Sequence, residues 1–321
     1  MSAIKNTSRL TMTILGCGNM GISILRGIMS SQTAGSSQKA SQSFDRDNNT
    51  TSPFFSRFIA CVNRPESVLT TQKNLFDIGA SSVDVWQGRN VEAVRNADVI
   101  LLSCQPSQAA GIVSGPEMAN ALSGKILLSI CVGLTVPQVE ALINQGDGSR
   151  DSSSGQSRCV IIHAMPNTAS TIRESSTIIS HYPEQSSPAV SEIVQHVFSS
   201  IGKIITVPST LMSAASVTAA STPAFFALAL EGVIEGAIAK GISREDATVM
   251  AAQAMKGTAG MVLEGEEPKE VLSKVMTPNG CTERGVQVLR GGGVSDIYTE
   301  ATTTAIERVF EMSRERNFME K

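Results

Sequence analysis

Ile14-Leu15-Gly16-Cys17-Gly18-Asn19-Met20-Gly21 is the stretch whose reading decides the fold of this chain. It sets G-x-G-x-x-G (Gly16, Gly18, Gly21) straight after the short apolar run Met12 to Leu15 and straight before a helical run. A glycine loop in isolation is only a turn. At the head of a chain that alternates strand and helix it is a dinucleotide loop. The glycines then have separate jobs. Gly16 allows the tight strand-to-helix turn, Gly18 lets the backbone approach a pyrophosphate, and Gly21 lets the helix pack on the strand. The phosphates lie on free N–H groups at the helix N-terminus, with Cys17, Asn19 and Met20 completing the loop.

The 321 residues are enough for two domains and a sizeable buried core. A net charge of −3 with scattered Lys and Arg gives no sign of a nucleic-acid or anionic-membrane partner. No apolar run approaches the ~20 residues of a spanning helix, and the first residues, Met1 to Arg9, lack the apolar core of a signal peptide. Cytoplasmic residence is expected. The six cysteines are spread singly (Cys17, Cys61, Cys104, Cys131, Cys159, Cys281), mostly in apolar strand-like runs, which suits reduced buried thiols. His163, His181 and His196 have no metal-like spacing. No metal is expected.

The first half alternates as a parallel sheet with crossover helices does. A helix of roughly Asn19 to Ser31 precedes a polar surface insertion, Gln32 to Ser56, too rich in Ser, Gln, Asn, Thr and Asp to bury a core. Strands follow at Phe58 to Val62, around Ala80 to Val85, at Val99 to Cys104, and at Lys125 to Val132 with a helix around Glu117 before it. The near-continuous apolar character of Val99 to Cys104 fits a strand covered on both faces. A second polar insertion, Asn144 to Arg158, precedes a sixth strand, Cys159 to Ala164. The first domain is taken as 1–208 and the second as 209–321.

From Ser213 the composition turns to Ala, Gly, Met and Leu with helical punctuation. Pro223 suits a first helical position, Gly241 a C-terminal cap, and Ser243 to Asp246 a capping box. Further helices read as Pro268 to Val275, Thr282 to Leu289 and Ser295 to Arg316. Small residues on several faces predict close helix packing, as in an intersubunit bundle or a compact monomeric cap.

Three stretches carry candidate chemistry. The second strand ends in Asn63-Arg64 with no carboxylate until Glu66, which favours the 2′-phosphate of NADPH over the ribose of NADH, although NADH stays admissible. Met276-Thr277-Pro278-Asn279-Gly280-Cys281-Thr282 is a turn running into a helix. It is either an ordinary capped turn or a seat for a substrate carboxylate with the Thr282 hydroxyl beside it. His163-Ala-Met-Pro166-Asn167-Thr168 ends the sixth strand, where open α/β sheets bind ligands. Asn167 and Thr168 either touch the nicotinamide or order the crossing into the helical part, and His163 reads as a packing residue before it reads as a proton donor.

Together, in this order, these stretches resemble the pyrroline-5-carboxylate reductase family from about residue 11 to 316. The family's G-x-G-N-M is Gly16 to Met20, its M-P-N-T is Met165 to Thr168, and its Ser-Pro-Gly-Gly-Thr-Thr loop is similar to Thr277 to Thr282. Ala251-Ala-Gln253 and Leu289 with Gly291-Gly-Gly also match. The resemblance implies an α/β fold: an N-terminal Rossmann-type doubly wound parallel sheet and a C-terminal all-helical dimerisation domain. It implies NAD(P)H as hydride donor, a small cyclic imine carboxylate as substrate, and homodimers or larger rings of them. It carries Gln105 and Pro106 into the cofactor site and Thr277, Asn279, Gly280, Cys281 and Thr282 into the substrate site. Hydride from the nicotinamide adds to an iminium that needs no metal, so positioning is the protein's main contribution. Thr282 is the residue that would hold the ring nitrogen.

The chain departs from the family's pattern at several points. Gln105 replaces a Lys, His163-Ala164 an Arg-containing pair, Ala219 to Pro223 a glycine-rich entry, Ser213 an Asp, Asn279 a Gly and Cys281 a Thr. The expectation is a retained reaction, reduction of 1-pyrroline-5-carboxylate to L-proline, with the substrate open to change. The rivals are an imine reductase for a substituted pyrroline carboxylate in specialised metabolism, and a catalytically weak NADP-binding regulatory homologue. A β-hydroxyacid dehydrogenase would need a Lys early in the first long helix of the second domain, and Phe225 to Ala239 contains none.

Overall fold

The computed structural model describes residues 10–38, 54–76, 83–145, 159–180 and 187–319. The middle of the first polar insertion, most of the second, and His181 lie outside the described residues. The chain divides into two compact units, Met1–Ala220 and Ser221–Lys321.

The first unit is a doubly wound sheet. Its elements in order are β1 (Leu10–Leu15), α1 (Asn19–Gln38), β2 (Phe55–Val62), α2 (Pro65–Phe76), β3 (Val83–Gln87), α3 (Asn90–Arg95) and β4 (Val99–Leu102). Then come α4 (Pro106–Val113), α5 (Pro116–Leu122), β5 (Ile126–Ser129), α6 (Val136–Asn144) and β6 (Val160–Met165). A 3-10 turn (Thr168–Ile172), β7 (Ser175–Ser180), α7 (Pro188–Ser199) and β8 (Gly202–Val207) complete the sheet, and α8 (Met212–Ser216) runs into a π turn (Val217–Ser221). The strand order is β3-β2-β1-β4-β5-β6-β7-β8. Every pairing is parallel except β6 with β7. The exception is topological: only a short turn joins those two strands, and a parallel return needs a crossover.

Alternation along the strands divides the core between two faces, as a period of two requires. Met12, Ile14, Val99, Leu101, Ile126 and Leu128 meet α1 and α7 through Ile24, Ile28, Val194 and Phe198. Ile100, Leu102, Leu127 and Cys131 meet α3 to α6 through Val94, Ala109, Leu122 and Val139.

Several boundaries are corrected. The first helix runs on to Gln38, and β2 begins at Phe55, which is only 1% exposed. Both edges of the first polar insertion are therefore structured, one as the continuation of α1 and the other because Phe54 and Phe55 join the core. Phe54 stacks on His196 at 4.5 Å between ring centroids. The sheet has two strands more than the six expected, β7 and β8, and α2, α3, α4, α6 and α7 are additional helices, α4 starting directly on Pro106.

The second unit is helical: α9 (Thr222–Ile238), α10 (Arg244–Leu263), α11 (Pro268–Val275), α12 (Cys281–Gly291) and α13 (Val294–Met319). Its punctuation is as expected. Gly241 has φ +91°, and the Gly241 and Ile242 N–H groups bond back to Ile238 and Ala237 carbonyls, a Schellman end. Ser243 Oγ accepts the Asp246 N–H at 3.1 Å to open α10. Pro223 does not start a helix from free coil, since the chain is already helical before it. The expectation of no apolar stretch of membrane-spanning length is also corrected: Ser209–Ile238 is a 30-residue helical stretch long and apolar enough by length and composition. Small residues interrupt its apolar runs in sequence, which hid the length.

Candidate functional site

The glycine loop is built as its sequence demands. Gly16 has φ +74°, a conformation that L side chains rarely adopt. A Cβ there would also lie 2.7 Å from Cys104 Cβ, and one on Gly21 would lie 2.8 Å from Ser103 Oγ and 2.9 Å from Ile14 Cγ2. Gly18 is different: nothing lies within 4 Å of an added Cβ. Two glycines thus serve the protein's own packing and the middle one faces open space. Cys17 N–H is spent on the Cys61 carbonyl at 2.9 Å, and Gly18 N–H on the Gly16 carbonyl at 2.7 Å. The first N–H groups of α1, from Asn19 to Gly21, have no acceptor within the helix and remain for an anion.

Beside the loop, at the carboxyl ends of β1 to β3, lies a cavity of about 210 Å³. Gly16 and Asn63 line it, as the sequence reading requires for a dinucleotide. Its other walls were not foreseen: Gly88 and Asn90 follow β3, and Gln108, Gly111 and Ile112 come from α4. Gly88, after the third strand, was the available signal, since carboxyl ends of parallel strands face the ligand. Arg64 stands just outside this lining, at the start of α2. A second arginine, Arg89, rests 4.1 Å from the Trp86 ring centroid and pairs with Glu92. It walls an adjoining room of about 540 Å³. Gln105 is the N-cap residue of α4 with Pro106 at the first helical position, and the Gln105 side chain makes no cap bond.

Asn167 is committed to the protein itself. Its Nδ2 donates to the Ala219 carbonyl at 2.8 Å, and its Oδ1 accepts the Ala169 N–H at 3.0 Å. These two bonds order the passage toward the helical part, and the second N–H and second lone pair of the amide remain for the other expected role, contact with the nicotinamide. The Ser170 hydroxyl donates to Met20 Sδ at 3.3 Å, tying this turn to the glycine loop. His163 is 8% exposed, faces Ser129 across β5 and β6, and burial pushes its pKa below the ordinary 6.5. The ring is buried but not fully satisfied, since its Nε2 and the Ser129 hydroxyl have no hydrogen-bond partner among the described residues. Cys104 and Cys131 sit with their sulfurs 3.7 Å apart behind Gly16, as free thiols.

In the second unit, Thr277-Pro278-Asn279-Gly280 is a tight turn closed by Gly280 N–H to the Thr277 carbonyl at 3.0 Å. Asn279 has φ +57°, so Pro at the second place and a left-handed residue at the third make it type II. Asn279 N–H donates to Glu283 Oε2 at 2.6 Å. Gly280 is the N-cap of α12. A Cβ on Gly280 would meet the Thr277 hydroxyl and lie 3.0 Å from the Thr277 carbonyl oxygen, so a larger residue here requires the Thr277 side chain to turn away. Thr282 is therefore the second helical residue and not the cap itself, while the stretch as a whole is a turn capped at the start of α12. Cys281 is exposed and Thr282 half-buried at the helix start.

Comparison with known proteins settles the family. The model for pyrroline-5-carboxylate reductase dimerisation matches residues 209–312, and that for NADP oxidoreductase coenzyme F420-dependent matches 11–133. A pyrroline-5-carboxylate reductase of Lophium arboricola is 41% identical over 304 residues, covering 95% of this chain and 93% of its own. The chain belongs to the pyrroline-5-carboxylate reductase family. Solved members of like fold are the Coxiella burnetii reductase (TM-score 0.74, 23% identical, covering 95% and 98% of the two chains) and the Plasmodium falciparum enzyme with NADP bound (TM-score 0.68, 21%, 97% and 99%). The reductase fold accounts for both halves described above, a Rossmann-type sheet with its glycine loop and a helical unit with its turn–helix.

Proposed function

We propose that this reductase reduces the C=N bond of 1-pyrroline-5-carboxylate to give L-proline, using NADPH. The observation that carries the reading is the family match over 95% of the chain, joined to a glycine loop whose middle residue faces open space. The first unit fits the dinucleotide. Gly16, Cys17, Gly18, Asn19, Met20 and Gly21 would hold the pyrophosphate, Asn63 and Arg64 the ribose end, and Gln105, Pro106 and Asn167 the reach toward the nicotinamide. NADPH, when bound, supplies hydride. Arg64, with no carboxylate at the end of β2, supports the phosphorylated cofactor over NADH.

Thr277, Asn279, Gly280, Cys281 and Thr282 form the substrate loop in this reading. The N–H groups of Cys281 and Thr282 open α12 and suit a carboxylate. The Thr282 hydroxyl would accept a hydrogen bond from the protonated ring nitrogen, favouring the electrophilic iminium. We divide the functions at residue 208/209. Residues 209–220 then act as a connector, packed on the first unit through Met212 and Ala219 against Met165 and Ile178.

The helical unit supports a homodimer, or a ring built from dimers. No residue of α9 is buried, and Leu228, Val233, Val249, Leu263 and Val288 are 60% or more exposed. Apolar faces of this extent mark interfaces. They also give the long apolar stretch Ser209–Ile238 a covering other than lipid. The described cysteines are all free, in keeping with a cytoplasmic setting. A second reading, reduction of a ring-substituted pyrroline carboxylate, draws on Asn279 and Cys281 in the substrate loop.

The test is steady-state oxidation of NADPH and NADH with 1-pyrroline-5-carboxylate and ring-substituted analogues, with the mass in solution measured by light scattering. Turnover of the unsubstituted imine with an NADPH preference that collapses in Arg64→Ala is expected. A protein that binds NADPH but reduces none of these imines would be the regulatory homologue. A monomer would remove the dimer.

A further inference from the structure

We propose that Glu283 sets the charge selectivity of the substrate loop. The inference rests on the reading of Thr277 to Thr282 given above and concerns which substituent the ring carries there. Glu283 is the third residue of α12 and half-buried. Instead of pointing to solvent, it reaches back over the turn and accepts the Asn279 N–H at 2.6 Å. That is a charge-assisted bond in a place that favours a carboxylate, both from the donor and from the helix N-terminus.

The loop's donors can be followed one at a time. Asn279 N–H goes to Glu283, and Gly280 N–H to the Thr277 carbonyl. What remains is Cys281, Thr282 and Glu283, whose N–H groups have no acceptor one turn earlier in the helix. The chain has therefore placed a carboxylate of its own on one N–H of the same turn, two residues before the donors that would receive the substrate's. Two consequences follow. The bond adds to the preference of a type II turn for Asn at its third place, where Asn279 has φ +57°, and so helps to fix the shape of the turn. The same group puts a negative charge next to the substituent of any bound ring. An anionic substituent meets both the remaining donors and that repulsion, whereas a neutral one meets the donors alone. Glu283 thereby narrows the advantage of a carboxylate over an uncharged carboxamide at the same ring position.

Glu283→Gln and Glu283→Ala separate the two roles. The glutamine oxygen can still accept the Asn279 N–H, so the turn is kept and only the charge is lost. With pyrroline-5-carboxylate and its carboxamide as paired substrates, Glu283→Gln should raise the carboxylate-to-carboxamide ratio of kcat/KM by roughly threefold, the size of an exposed charge pair. The change should lie in KM for the carboxylate. Glu283→Ala loses the bond as well, and KM should rise for both substrates. The NADPH Kd, measured by fluorescence, checks that each variant is folded. An unchanged ratio in an active, NADPH-binding Glu283→Gln overturns the role of Glu283 and leaves the reductase reading intact. Failure of the unmodified protein to reduce either substrate overturns that reading, and this inference with it.

Discussion

At the scale of single residues, Gly16 and Gly18 look alike in the motif and differ in what surrounds them. Gly16→Ala adds a methyl group 2.7 Å from Cys104 Cβ on a backbone with φ +74°. It should lower the melting temperature and NADPH affinity together. Gly18→Ala adds one that meets no protein atom within 4 Å. Its melting temperature should stay near that of the parent while NADPH affinity drops tenfold or more, measured by fluorescence titration; equal affinity would mean that the pyrophosphate lies elsewhere. Thr282 is open to a similar separation. As the second helical residue it does not cap α12, so Thr282→Val should cost about 0.5 kcal/mol or less. If its hydroxyl holds the ring nitrogen, kcat/KM should fall by about an order of magnitude or more while NADPH affinity stays put. Full activity in this variant would remove Thr282 from the reaction.

At the scale of elements, the helices of the second unit depend on their ends more than on buried faces. α9 and α12 contain no buried residue, and α10 buries only Ala247 and Ala251 within this chain. Local devices therefore carry much of the stability of these helices within the single chain, chiefly the Schellman turn at Gly241 and the Ser243 cap. Ser243 accepts the Asp246 N–H at 3.1 Å and donates to the Asp246 carboxylate at 2.7 Å. Ser243→Ala should cost about 1 kcal/mol, read as a shift in the chemical-denaturation midpoint with unchanged slope. Ser243→Thr, whose hydroxyl can both accept the Asp246 N–H and donate to its carboxylate, should recover most of it. A loss well above that would show that Ser243 does more than cap.

At the scale of the whole molecule, buried ionisable groups bound the pH range of stability. Burial lowers the pKa of His163 and His196 from the ordinary 6.5. Below that value the unfolded chain takes up protons that the folded one refuses. The stabilisation is thus complete above about pH 6.5 and falls as the pH drops. Burial pushes the thiols of Cys17, Cys61 and Cys159 up to about 12 from 9.0. Above pH 9 the unfolded thiols ionise first, so stability should fall again between about pH 9 and 12. Calorimetry from pH 5 to 10 should show a plateau with two shoulders, and His163→Gln with His196→Gln should flatten the acid one. An acid slope unchanged in the double variant would assign it to carboxylates.

The features legible in the sequence were those made by residues close together in the chain. A positive φ at Gly16, the Schellman glycine Gly241, the Ser243 cap and the Thr277 to Gly280 turn each follow from backbone preferences within a few residues. The alternation of apolar runs and helical segments was enough for a doubly wound sheet. Its edges were misjudged where core residues stand beside polar ones, as Phe55 does at the start of β2. Tertiary structure alone decided what meets across long separations. Cys104 lies against Gly16, the Ala219 carbonyl takes the Asn167 amide, and Gly88, Asn90 and Gln108 complete the cavity that Gly16 and Asn63 begin. It also turned His163 into a buried neutral ring. Residue type and spacing specify local conformation, but whether a polar atom finds a partner, a void or solvent depends on the packing of segments that the chain brings together only when folded.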